Sequence, residues 1–329
     1  MKYKILTYCS RGIALLATGI ASAAMAATTV PDCSAIKIVE PYPPGAITNV
    51  VARMVSEHIT QTTGKSSYIE NRPGASGNIG SAYVARRSKP DGCTILIGTD
   101  ATHAGNYYLF ENFPYHPVDD FTPLAKAGTN MIVLVGRPDV PADTLPELVE
   151  FIKVEKSPLF YASPGVGSPH HLSGALFSNM VGTPMTHVPF SGGAQAMTNL
   201  LGGEFPFLFS TLAVAEPHIR SGAIKAYGVT SGDRFPGLPD IPAINEVIPG
   251  IELNSWLAFF GPAGMSPEHV EFYNGIIRQA LNSAENKANL QKLGLLVADE
   301  TPEALAEEQR RDFASRGRLI RENHIQLEP

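Results

Sequence analysis

Short runs rich in β-branched and aromatic residues alternate along the chain with stretches in which apolar residues recur at helical spacing. The first run, 36–40, leads through a turn rich in proline and glycine into a helix with apolar residues at 50, 51, 54, 55 and 59. Similar units follow, with strands at 67–70 and 94–98. This alternation is typical of parallel α/β sheets with a doubly wound start. It predicts further strands at 131–135, 158–161, 185–189, 205–209, 224–230 and 253–260.

Helix starts are indicated by capping residues. Thr144 and Glu147 form a capping-box pattern ahead of an apolar stripe. Ser168 precedes Pro169, and Ser266 and Thr301 are likewise each followed by proline, which favours a side-chain cap with proline at the first helical position.

The helices after residue 266 carry apolar faces but have few strands of their own to cover. We therefore expect them to pack back on the first part of the chain. This predicts a discontinuous lobe one, 34–130 and 254–329, and a continuous lobe two, 131–253. The chain then crosses between lobes near 128–132 and 252–256, which makes a hinge beside an interlobe cleft.

The amino terminus has the pattern of a secretory signal peptide. A basic start precedes the apolar stretch 12–20, which is far shorter than the ~20 residues a membrane-spanning helix requires. Ala24-Met25-Ala26 is a suitable cleavage site, so residues 1–26 are expected to be removed and the mature protein exported to the periplasm. The alternative is a short N-terminal anchor. Loss of Lys2, Lys4 and Arg11 takes the net charge from −6 to −9, which argues against nucleic acid or an anionic membrane as a partner.

Two cysteines remain in the mature chain, Cys33 and Cys93, too few for a zinc site and without redox spacing. If the strands are ordered 2-1-3, both cysteines lie at the amino ends of adjacent parallel strands about 4.8 Å apart. Disulfides require Cα atoms within about 4.4–6.8 Å, and an oxidising compartment preserves them. We predict a Cys33–Cys93 disulfide; the alternative is two buried thiols.

Loops after strands are the candidate binding positions, because open α/β sheets bind ligands at the carboxyl ends of strands and helix amino termini suit carboxylates. Three loops fit: 43–49, 99–103 and 163–168, the last with two glycines that allow close backbone approach. Each alone could be an ordinary capped turn. The predicted ligand-binding residues of these loops and of the adjoining strand ends are Tyr42, Pro43, Gly45, Ala46, Thr48, Asn49, Thr99, Thr102, His103, Ser163, Gly167, Ser168 and Ser210.

Enzymatic signatures are absent from the sequence: there is no G-x-S-x-G elbow, G-x-G-x-x-G turn or phosphate-binding loop. His170 and His171 beside Ser168 could suggest a nucleophile or a metal site. Adjacent helical residues point about 100° apart, however, so the two rings do not easily face one ion. Capping and packing are the simpler interpretation, and a serine hydrolase using Ser168 and His171 stays as an alternative. No metal and no cofactor are predicted.

Several segments resemble the Bug family, the solute-binding proteins of tripartite tricarboxylate transporters. They include PYPPGAITNVVARMV, ENRPGASGNIGSAYVARRSKPDGCTILIG, YASPGVGSPHHLSGALF and THVPFSGGAQAMTNLLGGE, and the match runs in order along the mature chain. The resemblance implies a two-lobed type II periplasmic-binding-protein fold with Venus-flytrap closure. It also implies a small carboxylate held by backbone amides, short polar side chains and waters, without a cofactor.

Two departures from the family pattern concern the ligand. The first loop has Ala46 and Asn49 where the family usually has glycine and aspartate, and Ser210 follows Phe209 where the family often has aspartate. The ligands of relatives therefore do not transfer directly.

The sequence thus predicts a non-enzymatic, monomeric periplasmic solute-binding protein whose partners are the membrane subunits of a tripartite tricarboxylate-type transporter. The same fold could instead serve as an extracytoplasmic sensor that docks the kinase of a two-component system.

Overall fold

The computed structural model describes residues 29–44, 46–190, 192–253 and 255–325. Along these residues the strands are β1 (Ala35–Glu40), β2 (Ser66–Asn71), β3 (Thr94–Thr99), β4 (Phe121–Asn130), β5 (Ile132–Gly136), β6 (Leu159–Ser163), β7 (Met185–Pro189), β8 (Phe207–Thr211), β9 (Lys225–Val229), β10 (Ser255–Pro262) and β11 (Leu295–Val297). The α-helices are α1 (Ile47–Thr63), α2 (Asn78–Arg87), α3 (Leu145–Val154), α4 (Pro169–Val181), α5 (Gly193–Leu201), α6 (Leu212–Arg220), α7 (Pro267–Leu281), α8 (Ala284–Lys292) and α9 (Pro302–Glu322). The proposed signal peptide, 1–26, lies outside the described residues.

The strands form two sheets. The first has the order β11-β4-β10-β3-β1-β2 and the second β7-β6-β8-β5-β9. We call the part built on the first sheet the first lobe and the part built on the second sheet the second lobe. The predicted boundaries at 130/131 and 253/254 stay a prediction, but strands on either side of them belong to different sheets. No helix in the described parts of the chain has the length and apolar character to cross a bilayer.

The prediction of parallel sheets is only partly right. Strands β2, β1 and β3 are parallel, as are β7, β6 and β8. Strand β10 runs antiparallel between β3 and β4, β11 is antiparallel to β4, and β5 is antiparallel to β8 and β9. Both sheets are therefore mixed: β10 and β11 run against β1–β3 and β4 in the first sheet, and β5 runs against its neighbours in the second.

Strands β4 and β11 were not predicted. The β4 segment contains Pro123, Lys126 and Gly128, all poor strand formers. Lys126 is nevertheless buried because its ammonium group lies 2.7 Å from the carboxylate of Glu308 on α9. Strand β11 has only three residues and owes its conformation to pairing with β4.

The predicted caps are confirmed. The amide of Glu147 donates to Thr144 Oγ1 and the Thr144 amide donates back to the Glu147 carboxylate at 3.2 Å, which completes the capping box of α3. The side chains of Ser168, Ser266 and Thr301 accept from backbone amides at the starts of α4, α7 and α9.

The carboxyl-terminal helices pack on the first sheet. Tyr273 and Ile277 of α7 share a buried core with Ile38. The indole of Trp256 on β10 donates to Asp312 on α9 at 2.8 Å. These contacts join the two separated stretches of the first lobe through a buried cluster on each side of the first sheet.

The predicted disulfide is confirmed. Cys33 and Cys93 are bonded, with their Cα atoms 5.6 Å apart. Strand β1 lies between β2 and β3, the order on which the prediction depended. Both cysteines precede their strands, so the bond lies at the amino ends of β1 and β3, away from the loops that follow these strands.

Candidate ligand-binding site

A cavity of about 670 Å³ lies between the two lobes. Its walls come from loops at the carboxyl ends of strands and from the first residues of helices, as the doubly wound pattern predicts. The first lobe supplies Tyr42, Ala46, Ile47, Thr48, Ser76, Thr99, Asp100, Ala101, Asn106, Asn130, Ser255 and Leu257. The second lobe supplies Pro164, Gly165, Val166, Gly167, Ser168, Pro169, His170 and Gly192.

The loop between β1 and α1 is held from below by Glu40. The Thr48 hydroxyl donates to Glu40 Oε1 at 2.8 Å, and the amide of Tyr42 donates to the same oxygen at 3.2 Å. Glu40 is fully buried, and this burial raises the pKa of its carboxyl group to about 7, against the effect of the two hydrogen bonds. Helix α1 has no side-chain cap, so the amides of its first turn are directed to the cavity end of the helix.

The end of β3 forms a second part of the first-lobe wall. The hydroxyl groups of Tyr42 and Thr99 lie 2.7 Å apart, and both residues line the cavity. Behind them, Thr102 Oγ1 accepts from the Thr99 amide at 3.0 Å and contacts His103 Nδ1 at 2.9 Å. The His103 ring stacks on Phe260, and burial lowers the pKa of His103 to about 3.

Asp100 is a charged lining residue with a buried partner. Arg316 of α9 lies 2.9 Å from one carboxylate oxygen of Asp100, and the Ser255 hydroxyl donates to the other at 3.0 Å. Burial raises the pKa of Asp100 to about 6, with Arg316 acting in the opposite direction. The guanidinium group of Arg316 lies directly behind the carboxylate, so the pair adds little net charge to the wall.

The second-lobe wall is the turn before α4. Ser168 donates its hydroxyl hydrogen to the Gly165 carbonyl at 2.7 Å and accepts from the His171 amide at 3.2 Å. The ring of His171 accepts from the Gly167 amide at 3.0 Å and stacks on His187 at 3.7 Å between centroids. The Ser168 hydroxyl is thus not directed at the His171 ring, which removes the geometry that a serine hydrolase would need.

Gly167 has a specific steric role in this turn. Its φ of +72° lies in the left-handed region, and a Cβ atom built there would meet Leu109 Cδ1 of the first lobe at 2.4 Å. A side chain at residue 167 would require the Leu109 side chain to shift, so glycine permits the close approach of the lobes.

His170 is a cavity residue that the sequence analysis assigned to capping and packing. It is only 8% exposed, its Nε2 atom lies 3.1 Å from the Thr211 hydroxyl, and its Nδ1 atom has no partner among the described residues. Burial lowers the pKa of His170 to about 4, so the ring is neutral at pH 7. Its unsatisfied Nδ1 atom is buried just behind the cavity wall.

The structure divides the predicted site residues into groups. Six line the cavity, namely Tyr42, Ala46, Thr48, Thr99, Gly167 and Ser168. Pro43 is exposed on the loop, and Gly45 lies outside the described residues. Buried behind the lining are Asn49, which accepts from Arg53 at 3.0 Å, and Thr102, His103, Ser163 and Ser210. The role of each in ligand binding stays a prediction.

Several polar lining residues were not predicted: Ser76, Asp100, Asn106, Asn130, His170 and Ser255. Asp100 and His170 lie within or beside the predicted loops, so proximity was an available signal. The others reach the cavity from segments whose position only the tertiary fold defines.

Comparison with known proteins identifies the family. Residues 51–325 match the model of the tripartite tricarboxylate transporter family receptor, TctC. The chain belongs to this receptor family. A UPF0065 protein of Pseudomonas sp. strain P51 is 32% identical over 302 residues, 90% of this chain and 88% of that protein. BugT of Bordetella pertussis is 31% identical over 274 residues, 83% of each. The resemblance to Bug proteins is confirmed.

Solved structures of other receptors share the fold. R. palustris Rpa4515 with adipate has a TM-score of 0.75 and 29% identity, covering 89% of this chain and 98% of that one. MatC from Rhodopseudomonas palustris with bound malate has a TM-score of 0.71 and 29% identity, covering 87% and 98%. The expected two-lobed fold is therefore confirmed.

Proposed function

We propose that this TctC-family receptor captures a small carboxylate in the interlobe cavity and presents it, in the periplasm, to the membrane subunits of a tripartite tricarboxylate-type transporter. The observation that carries the proposal is the meeting of two helix amino termini from opposite lobes, those of α1 and α4, at one cavity. Unpaired amides and the positive end of the helix dipole favour an anion there.

Backbone amides are the main donors in this proposal, because several hydroxyl hydrogens are already engaged. Thr48 donates to Glu40, and Ser168 donates to the Gly165 carbonyl. Thr48 can still offer its amide, whereas the Ser168 amide donates to the Gly165 carbonyl at 3.3 Å and leaves that residue its oxygen lone pairs. Thr99 and Tyr42 complete the first-lobe side, and His170 supplies a neutral polar group on the second.

The ligands of related proteins support a small carboxylate as the class of ligand, but they do not identify the compound that this receptor binds. The related structures with adipate and malate contain small dicarboxylates. Among the described lining residues there is no lysine or arginine side chain. Anion binding here would thus depend on oriented dipoles and not on ion pairs.

A thermal-shift panel tests the proposal. Acetate, malate, adipate and other mono- and dicarboxylates are compared with their uncharged amides, using the mature protein. A true ligand at 100 times its Kd adds about 2.7 kcal/mol to the free energy of unfolding. Stabilisation by at least one carboxylate, and not by its amide, is expected. No response to any carboxylate would contradict the proposal.

Gly167→Ala tests the interlobe position of the site. The new methyl group would clash with Leu109, so we expect at least tenfold weaker binding of the carboxylate found in the panel. Gly182→Ala is a matched control, because Gly182 has a similar φ of +77° at the other end of α4 with no atom within 4 Å of its Cβ position. The control carries the same backbone strain but should bind normally; equal binding by both variants would show that position 167 does not restrict closure of the lobes around the ligand.

A further inference from the structure

Glu40 is a buried carboxyl group without a counter-charge directly below the proposed ligand loop. It lies on the same sheet face as Ile36 and Ile38, which pack against α1, and none of its surface is exposed. Oε1 accepts two hydrogen bonds, from Thr48 and Tyr42, whereas Oε2 has no partner among the described residues. The two donors belong to residues that line the cavity.

The charged groups around Glu40 are engaged with other partners. On β2, Asn71 is paired with Glu40 in register and donates to the Tyr42 carbonyl at 3.0 Å. Lys37 and Arg72 each form an ion pair with Glu70. Glu70 is opposite Val39 in register, so its side chain lies on the other face of the sheet from Glu40.

Two further charged elements are close to the loop. On α1, Arg53 donates to Asn49, and at the end of β3, Asp100 is paired with Arg316. In the described parts of the chain no cation forms an ion pair with Glu40. Its negative charge, when present, is therefore compensated only by the Thr48 hydroxyl and the Tyr42 amide.

An anion bound at the start of α1 would lie close to Thr48 and Tyr42, the two residues that donate hydrogen bonds to Glu40. Two like charges in a medium of low effective dielectric repel over several ångströms, since water cannot screen them fully. The repulsion is removed when Glu40 takes a proton. Burial already raises the pKa of Glu40 to about 7, so the cost of that proton near neutral pH is small.

We propose that Glu40 is a positioning residue that couples ligand capture to proton uptake, so that ligand binding favours the protonated form of Glu40 and ligand release returns to solvent the fraction of a proton that was taken up. The proton comes from solvent, neutralises the Glu40 carboxylate and returns to solvent on release. The inference rests on the proposed function of the cavity. Affinity then falls as pH rises through the range in which Glu40 ionises, at most tenfold for each unit by which the bound anion raises the pKa of Glu40.

Isothermal titration calorimetry at pH 6.5 to 9 tests this coupling. The probe is the tightest-binding carboxylate of the panel, with malate and adipate measured in every series. Wild-type protein is titrated in two buffers of different ionisation enthalpy, which gives the number of protons taken up. We expect fractional proton uptake near pH 7.5 and about tenfold weaker binding at pH 9 than at pH 6.5, for one unit of pKa shift.

Glu40→Gln separates the charge of the residue from its hydrogen bonds. Gln retains a carbonyl oxygen that can accept from Thr48 and Tyr42, so we expect binding that equals wild type at pH 6.5 and does not change up to pH 9. Glu57→Gln makes the same substitution at an exposed position of α1 and should keep the wild-type pH profile. Glu40→Ala should bind weakly at all pH values because the loop loses its acceptor.

The outcomes distinguish the inference from the proposed function. Binding that is independent of pH in wild type, or a pH profile that persists in Glu40→Gln, overturns the coupling and leaves the receptor function intact. Absence of binding by every carboxylate at every pH overturns both. If Glu40→Gln does not fold, a wild-type protein that takes up no proton on binding still overturns the coupling.

Discussion

Apart from His103 behind the first-lobe lining, the two walls of the cavity bury opposite kinds of ionisable group. The first-lobe wall contains the carboxyl groups of Glu40 and Asp100, whereas the second-lobe wall is built on His170, His171 and His187. Burial raises the pKa of the two acids, to about 7 and 6, and lowers those of the histidines, to about 4, 4 and 3. In both walls the low-polarity surroundings favour the neutral form.

The difference determines how each wall responds to protons. Acid neutralises the first-lobe wall, which removes buried negative charge. Acid charges the second-lobe wall, which introduces positive charge into a stacked and desolvated histidine pair. The two walls should therefore differ in pH stability.

The largest expected effect is local unfolding of the second lobe in acid. A histidine with a depressed native pKa binds fewer protons folded than unfolded below pH 6.5, so stability falls as pH decreases. The three histidines together lower the free energy of unfolding by on the order of 6 kcal/mol at pH 5, since each pH unit below 6.5 corresponds to about 1.4 kcal/mol for each histidine. In the first lobe, protonation of Glu40 and Asp100 offsets the same effect at His103.

Hydrogen exchange at pH 7 and pH 5, corrected for the intrinsic rate, measures this difference. Peptides covering α4 and β6–β8 should lose protection at pH 5, while those covering β1–β3 keep it. Equal loss in both lobes would refute the contrast.

The disulfide should affect the first lobe alone. Replacing both Cys33 and Cys93 by serine opens a loop with a sequence separation of 60, which the chain-entropy model converts into about 4 kcal/mol of lost stability. Ligand affinity should change less than twofold, because the bond lies at the opposite ends of the strands from the cavity. Urea unfolding and calorimetry measure the two quantities. A large loss of affinity would show that the amino ends of the strands also shape the site.

Glu40→Gln should stabilise the protein above pH 7. A carboxyl group whose native pKa is raised to about 7 from 4.5 costs stability as pH rises between these values. The substitution removes this cost, so the free energy of unfolding should rise by on the order of 3 kcal/mol at pH 8. Below pH 4.5 no gain is expected. Thermal unfolding across this range, with Glu57→Gln as the control, tests the sign. A variant less stable than wild type at pH 8 would show that the carboxylate is stabilised by its two donors.

His170→Ala has the smallest expected effect. Loss of one neutral hydrogen bond to the ligand corresponds to about 1–2 kcal/mol, or 5- to 30-fold weaker binding. His218→Ala on α6, outside the lining residues, is the control. Calorimetry with the panel's tightest carboxylate gives both values. Unchanged affinity in His170→Ala would limit this residue to packing against Thr211.

Local patterns in the sequence were sufficient for much of the fold. The periodicity located nine strands to within a few residues, and the cap residues Thr144, Ser168, Ser266 and Thr301 marked four helix starts, because each signal acts within one turn or one strand. The order 2-1-3 expected for a doubly wound sheet was also enough to pair Cys33 with Cys93.

Only the tertiary structure decided the chemistry of the cavity. Strand β4 exists despite Pro123 and Gly128, and it buries Lys126 against Glu308, 182 residues away. Asp100 lines the cavity with Arg316 behind it, and Glu40, the last residue of an ordinary strand by its pattern, becomes a buried acid below the ligand loop. The sequence by itself determined which segments form strands, helices and loops, since those preferences are local. Burial and charge pairing depend on residues distant in the chain, and these set the pKa values and the polarity of the site.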